Sequence, residues 1–143
     1  MKYFLATLFL YFGIFGSATV TAQCNYEFQR GKALSYLPRN YFFTHTLKCN
    51  PISSNQGVKA TYLMFKNRTY CFTASSKEGE AQGMVVTVYD DKQNVICSNY
   101  NENEHKFYRK MLFQCNKSGL YTVEVSFKDA KTTCGYLAVG VKY

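Results

Sequence analysis

The 143-residue sequence has no tryptophan, two prolines and two histidines. With His45 and His105 as the only imidazoles, a nucleophile, base and orienting group have few places to assemble. No Gly-x-Ser-x-Gly elbow offers a hydrolase serine. No Cys-x-x-Cys pair occurs, which removes a zinc ribbon and a thioredoxin-like redox centre from consideration. Acids are scarce, nine against 17 Lys and Arg, and they are too scattered to suggest the paired carboxylates of a glycosidase. The longest apolar run, from Tyr3 to about Phe15, falls short of the ~20 residues that span a bilayer.

That run is instead the middle of a secretory leader. One cation, Lys2, precedes it and the small, hydroxylated Ser17, Ala18 and Thr19 follow it, with Val20-Thr21-Ala22 as a cleavage site. Residues 1–22 are read as signal peptide and Gln23 as the mature N-terminus, with no transmembrane anchor after its removal. Gln23 between Ala22 and Cys24 argues against lipid attachment. The 121 residues that follow suit one domain. Losing Lys2 leaves 16 bases against nine acids, a charge of +7; such an exported chain is drawn to anionic surfaces, and solubility explains the charge equally well.

Six cysteines, Cys24, Cys49, Cys71, Cys97, Cys115 and Cys134, survive leader removal. An even number in an exported chain points to disulfides, and three bridges allow fifteen connectivities. Cys71 with Cys134 is one expected pair, because both fall on the outward side of candidate strands.

The clearest element is 119–127. Tyr121, Val123, Val125 and Phe127 alternate with Leu120, Thr122, Glu124 and Ser126, the period of a strand with one wet face. Glu124 speaks against a parallel sheet buried on both sides. Similar alternation or β-branched density marks strands at 41–48, 58–65, 69–75, 84–89, 95–99, 106–115 and 134–143, with polar turns between them. Residues 23–40 read as a short helix or irregular arm ended by Pro38. The expected fold is all-β: an antiparallel sandwich, jelly-roll-like, of about eight strands over residues 41–143.

Each chemical candidate has a plain counterpart. His45 lies in an aromatic strand, as a packed or edge side chain would; His105 borders a turn. Asp90, Asp91 and Asn94 offer oxygens for calcium, but Asx side chains also simply close turns. His105-Lys-Phe-Tyr-Arg-Lys110 is the densest cationic stretch. As one strand it would line up Lys106, Tyr108 and Lys110 on an outer face, able to grip an anionic glycan by charge and stacking, or merely to discourage edge pairing. Tyr62, Tyr89, Tyr100 and Tyr136 are further candidates for a wet aromatic platform. Asn67-Arg-Thr and Asn116-Lys-Ser match the glycosylation acceptor pattern at turns.

The series Phe65-Lys-Asn-Arg-Thr-Tyr70-Cys-Phe72, Val86-Thr-Val88-Tyr89-Asp90, Asn94-Val95-Ile96, Phe113-Gln-Cys115, Ser118-Gly119-x-Tyr121-x-Val123 and Cys134-Gly135 resembles secreted β-sandwich domains of Bacteroidota, similar to pre-peptidase C-terminal and GOLD-like domains. The resemblance covers about 58–143 and implies a fold more than a function. The expectation is a non-catalytic binding module, periplasmic, surface-bound or extracellular, with no cofactor and no metal. It would contact an envelope protein or anionic glycan through Lys106, Tyr108, Lys110 and Tyr136; nucleic acid is disfavoured. The alternatives are a small enzyme with a rim site built on His45 or His105 and nearby acids, and a eukaryotic toxin-like or inhibitor module.

Overall fold

The structure, a computed structural model, describes residues 24–50, 57–76, 81–128 and 134–143. The leader read in 1–22 lies outside the described residues.

Alternation of apolar and polar side chains produces two four-stranded antiparallel sheets. Strands β1 (Phe42–Cys49), β2 (Val58–Met64), β3 (Thr69–Ser76), β4 (Met84–Tyr89) and β5 (Val95–Ser98) come first. A small hairpin follows, β6 (Tyr100–Asn101) and β7 (Lys106–Phe107), then β8 (Lys110–Gln114), β9 (Gly119–Phe127) and β10 (Gly135–Lys142). Sheet A has the order β1-β10-β3-β8 and sheet B the order β2-β9-β4-β5. With the hairpin set aside, the chain crosses between sheets as two interlocked Greek keys do, so the sandwich is a jelly roll.

The inward sides of the two sheets meet in one core. Tyr121, Val123, Val125 and Phe127 of β9 face Tyr70 and Phe72 of β3 and Leu137, Val139 and Val141 of β10. The alternation read in 119–127 therefore holds residue for residue. Each fully buried valine contributes about 1.5–3 kcal/mol relative to exposure. On sheet B the opposite side faces solvent, with Glu124 paired to Lys59 at 3.6 Å.

Sheet A is covered on its outer side by helix α1 (Tyr26–Ser35), so β10 is buried on both faces. Asn25 caps the helix by accepting the Phe28 N–H at 3.1 Å, and the chain leaves it just before Pro38. This cover overturns one expectation. Tyr136 sits beneath α1 at 2 % exposure, packed with Ala33 and Ala138. The sequence of β10 alternates less sharply than β9 because both its faces are buried.

The expected strand 106–115 is broken at Tyr108 and Arg109, and Asn99 is the cause. Its carboxamide accepts the Val86 N–H at 2.6 Å and donates to the carbonyls of Met84 and Tyr108 at 3.1 and 2.9 Å. The Tyr108 N–H in turn donates to the Asn99 carbonyl at 2.8 Å. This fully satisfied buried amide ties the hairpin β6–β7 to β4 and turns the chain before β8.

The cysteine pairing also differs from expectation. Cys134 is bonded to Cys24, with Cα atoms 5.6 Å apart, and Cys49, Cys71, Cys97 and Cys115 are free thiols. Cys71 does point outward from sheet A, but it stands opposite Gly140, whereas Gly135 beside Cys134 stands opposite Ser76. Five residues along a strand are about 16 Å, far beyond disulfide reach.

Candidate functional site

The predicted binding residues do not converge. Lys106, Tyr108 and Lys110 are exposed, but the break at Tyr108 puts Lys106 in the hairpin and Lys110 in sheet A opposite Thr73. The hairpin also supplies its own acids. Tyr108 donates its hydroxyl to Glu104 at 3.1 Å while Lys106 lies 5.2 Å from its ring, and Lys128 pairs with Glu102 at 3.6 Å. An anion arriving here would compete with carboxylates already in place. Tyr136, under α1, cannot join them.

The elements of a rim enzyme are equally dispersed. The His45 ring meets that of Tyr62 at a tilt of 55°, with centres 4.7 Å apart, between the edge strands β1 and β2. His105 meets the Tyr100 hydroxyl at 3.1 Å in the hairpin. Among the described residues neither histidine is bonded to a carboxylate. Asp90 is used by its own turn, accepting the backbone N–H groups of Lys92 and Asn94 and the Asn94 side-chain amide at 2.8–2.9 Å. These bonds, the Asn94 side chain first, hold its carboxyl below the usual range. Glu124 lies on the outer side of sheet B and Glu27 in α1 outside sheet A, so they form no pair. Burial pushes the thiols of Cys71 and Cys97 up to about 11 and that of Cys49 up to about 12. None is a ready nucleophile. Among the described residues no group of three His, Cys, Asp or Glu side chains could hold a metal.

A different surface gathers at the end of the sandwich where β2 turns into β3, β4 into β5 and β8 into β9. Pairing of β1 with β10 sets Phe42 opposite Val141, which brings the Phe42 ring to 5.8 Å from Tyr143. Arg68 extends the row, its guanidinium 4.1 Å from the Tyr143 ring centre and 5.1 Å from that of Phe65. The three rings are 66 %, 70 % and 46 % exposed for Phe42, Tyr143 and Phe65, so this ladder is a surface and not a core. Beside it the cross-strand pair Leu63 and Leu120 is also exposed.

The turns beneath are fixed to each other. Asn67 adopts φ 66°, the left-handed conformation that asparagine tolerates better than most side chains. Its N–H donates to the Cys115 carbonyl and Cys115 donates back to the Arg68 carbonyl, both at 2.9 Å. The Lys66 N–H donates to Ser118 Oγ at 2.8 Å, and Tyr70 accepts the Phe65 N–H at the same distance. Next to this pair of turns, a cavity of about 350 Å³ lies between residues 90–94 and 117–121, bridged by Lys117 and Asp91 at 3.9 Å. Tyr121 closes its floor by donating to the Lys117 carbonyl at 2.8 Å; burial first, then Cys115, pushes its phenol up to about 12. The result is a rigid end with exposed aromatic rings, arginine and apolar side chains, the composition found where proteins bind proteins.

Sequence reading passed over this ladder because Phe42, the pair Phe65 and Arg68, and Tyr143 lie far apart in sequence. One signal was present. Phe42 and Phe43 are adjacent in a strand, so one of them must face away from the core; in the edge strand β1 both are exposed.

No protein-family profile matches the chain, and no curated protein matches it in sequence. Among solved structures the chain is similar to Aeromonas hydrophila PliG, a periplasmic lysozyme inhibitor of g-type lysozyme. The likeness has a TM-score of 0.54 at 15 % identity and covers 74 % of this chain and 91 % of that one. It is a likeness of fold.

Proposed function

We propose that this chain is an exported, non-catalytic module that binds a protein through the Phe42, Tyr143, Arg68 and Phe65 end of the sandwich. The partner is a secreted hydrolase of the lysozyme kind. The observation that carries this reading is the ladder itself, three large rings held open to solvent around one arginine on hydrogen-bonded turns. The leader at 1–22 and the Cys24–Cys134 disulfide support export, since such bonds persist in oxidising compartments. Buried thiols, dispersed histidines and a turn-bound Asp90 support binding over bond chemistry. The PliG-like fold supports the class of partner.

The test is to add the purified mature protein to a panel of secreted lysozymes, g-type included, and to measure cell-wall lysis and direct binding. The expected result is saturable inhibition by wild type that weakens at least tenfold in Phe65→Ala/Tyr143→Ala. Absence of binding across the panel, combined with retention on an anionic glycan, would overturn the reading in favour of a carbohydrate ligand.

A further inference from the structure

Helix α1 lies across sheet A as a strap, and the chain gives it little to hold with. Of its ten residues only Gln29 and Ala33 are buried. Its contacts form a cluster with Tyr136 and Ala138 that is separate from the sandwich core. Thr73 donates its hydroxyl to the Ala33 carbonyl at 2.8 Å. Gln29 works against docking: at 0 % exposure, neither its amide nitrogen nor its oxygen has a partner among the described residues. Gly31 weakens the helix from within, and ten residues is shorter than the ~12–15 at which isolated helices become even marginal in water. Undocked, the helix melts.

Two covalent ties limit that loss. At its far end the chain runs on into β1. At its near end, Cys24 precedes the Asn25 cap and is bonded to Cys134 at the mouth of β10, a sequence separation of 110.

The residues just after the strap, with Leu37 packed in the strap's own cluster, cover a thiol. Cys71 is 0 % exposed on the outer side of β3, opposite Gly140. Leu37 and Tyr41 close over that spot, so that a Cβ on Gly140 would lie 3.0 Å from Leu37 Cδ2 and 3.3 Å from Tyr41 Cβ. Cys115, by contrast, lies in the sandwich core and does not depend on the strap.

We propose that Cys24–Cys134 is a redox latch: its reduction frees α1 from sheet A and uncovers Cys71 while the sandwich stays folded. The reductant is a dithiol. It becomes a disulfide, and its two electrons and two protons end on the sulfurs of Cys24 and Cys134 as thiols. Cys71, pushed up to about 11 by burial while covered, then regains ordinary thiol reactivity. This proposal is independent of the partner suggested above.

Site-resolved maleimide labelling of the full mature chain, read by mass spectrometry, tests it. Three proteins are compared: wild type, Cys24→Ser/Cys134→Ser, and that pair combined with Gln29→Met, which removes the unpaired amide. Cys71 is expected to label at least tenfold faster in the double variant with Cys115 unchanged, and to slow again at least threefold in the triple variant. The proposal is overturned if Cys71 labels at the wild-type rate without the bridge, because the strap then holds itself. It is also overturned if Cys71 and Cys115 accelerate together, because the bridge then holds the whole domain. A triple variant that labels like the double overturns the account of the weak strap.

Discussion

Arg68 holds its guanidinium 4.1 Å from the centre of the Tyr143 ring, a contact between the β2–β3 turn and the residue after β10. Removing the arginine therefore changes a surface and not a core. Arg68→Ala is expected to lower stability by no more than about 1 kcal/mol while weakening partner binding at least tenfold. Arg68→Lys recovers little, because an ammonium does not stack as a planar guanidinium does. Urea unfolding and binding titrations on the same samples separate the two effects. A loss of binding that merely tracks loss of stability would count against the site.

Asn99→Leu has the opposite signature. The leucine keeps the branched outline but leaves the Val86 N–H and the Met84 and Tyr108 carbonyls without the partner they have now. Stability should fall by about 3 kcal/mol or more, read as a lower urea midpoint. Backbone amides of residues 100–108 should lose hydrogen-exchange protection first.

Alkaline pH should unfold the protein earlier than its charge suggests. Cys49 and Cys71, pushed from the ordinary 9.0 to about 12 and about 11 by burial, stay protonated in the fold after the unfolded chain has released those protons. The unfolded state then binds fewer protons, so stability falls as pH rises. The loss begins near pH 9 and continues until the folded thiols themselves ionise, at about 1.4 kcal/mol per pH unit for each thiol. Denaturant midpoints between pH 8 and 11 measure it. Cys49→Ala/Cys71→Ala should flatten the slope.

Two glycines should respond differently to the same substitution. A Cβ on Gly135 would lie 2.6 Å from Met84 Sδ and 3.2 Å from Phe127 Cζ, inside the core. Gly135→Ala is expected to cost about 1–3 kcal/mol. Gly119→Ala meets nothing within 4 Å and should stay within about 0.5 kcal/mol of wild type. Thermal melts of the pair decide the point.

Fold class was legible because period-two alternation is strong wherever one face of a strand is wet, as in Tyr121 to Phe127. It failed at Tyr136 because β10 has no wet face, and that depends on where α1 docks. It failed at Tyr108 because the side chain of Asn99, nine residues earlier, redirects the backbone, and no local pattern reports a long-range amide. The Cys71–Cys134 expectation had the right side of the sheet but lacked the register along it. The ladder of Phe42, Phe65, Arg68 and Tyr143 was hidden for the same reason, since only the pairing of β1 with β10 brings its two ends together.

Strand β10 lies inside sheet A between β1 and β3, with α1 above and sheet B below. A nascent chain that has not yet been extended through residues 135–142 thus lacks the piece on which β1 and β3 both rest. Sheet A can therefore close only once residues 135–142 have been made, which sets the last step of folding late in the chain.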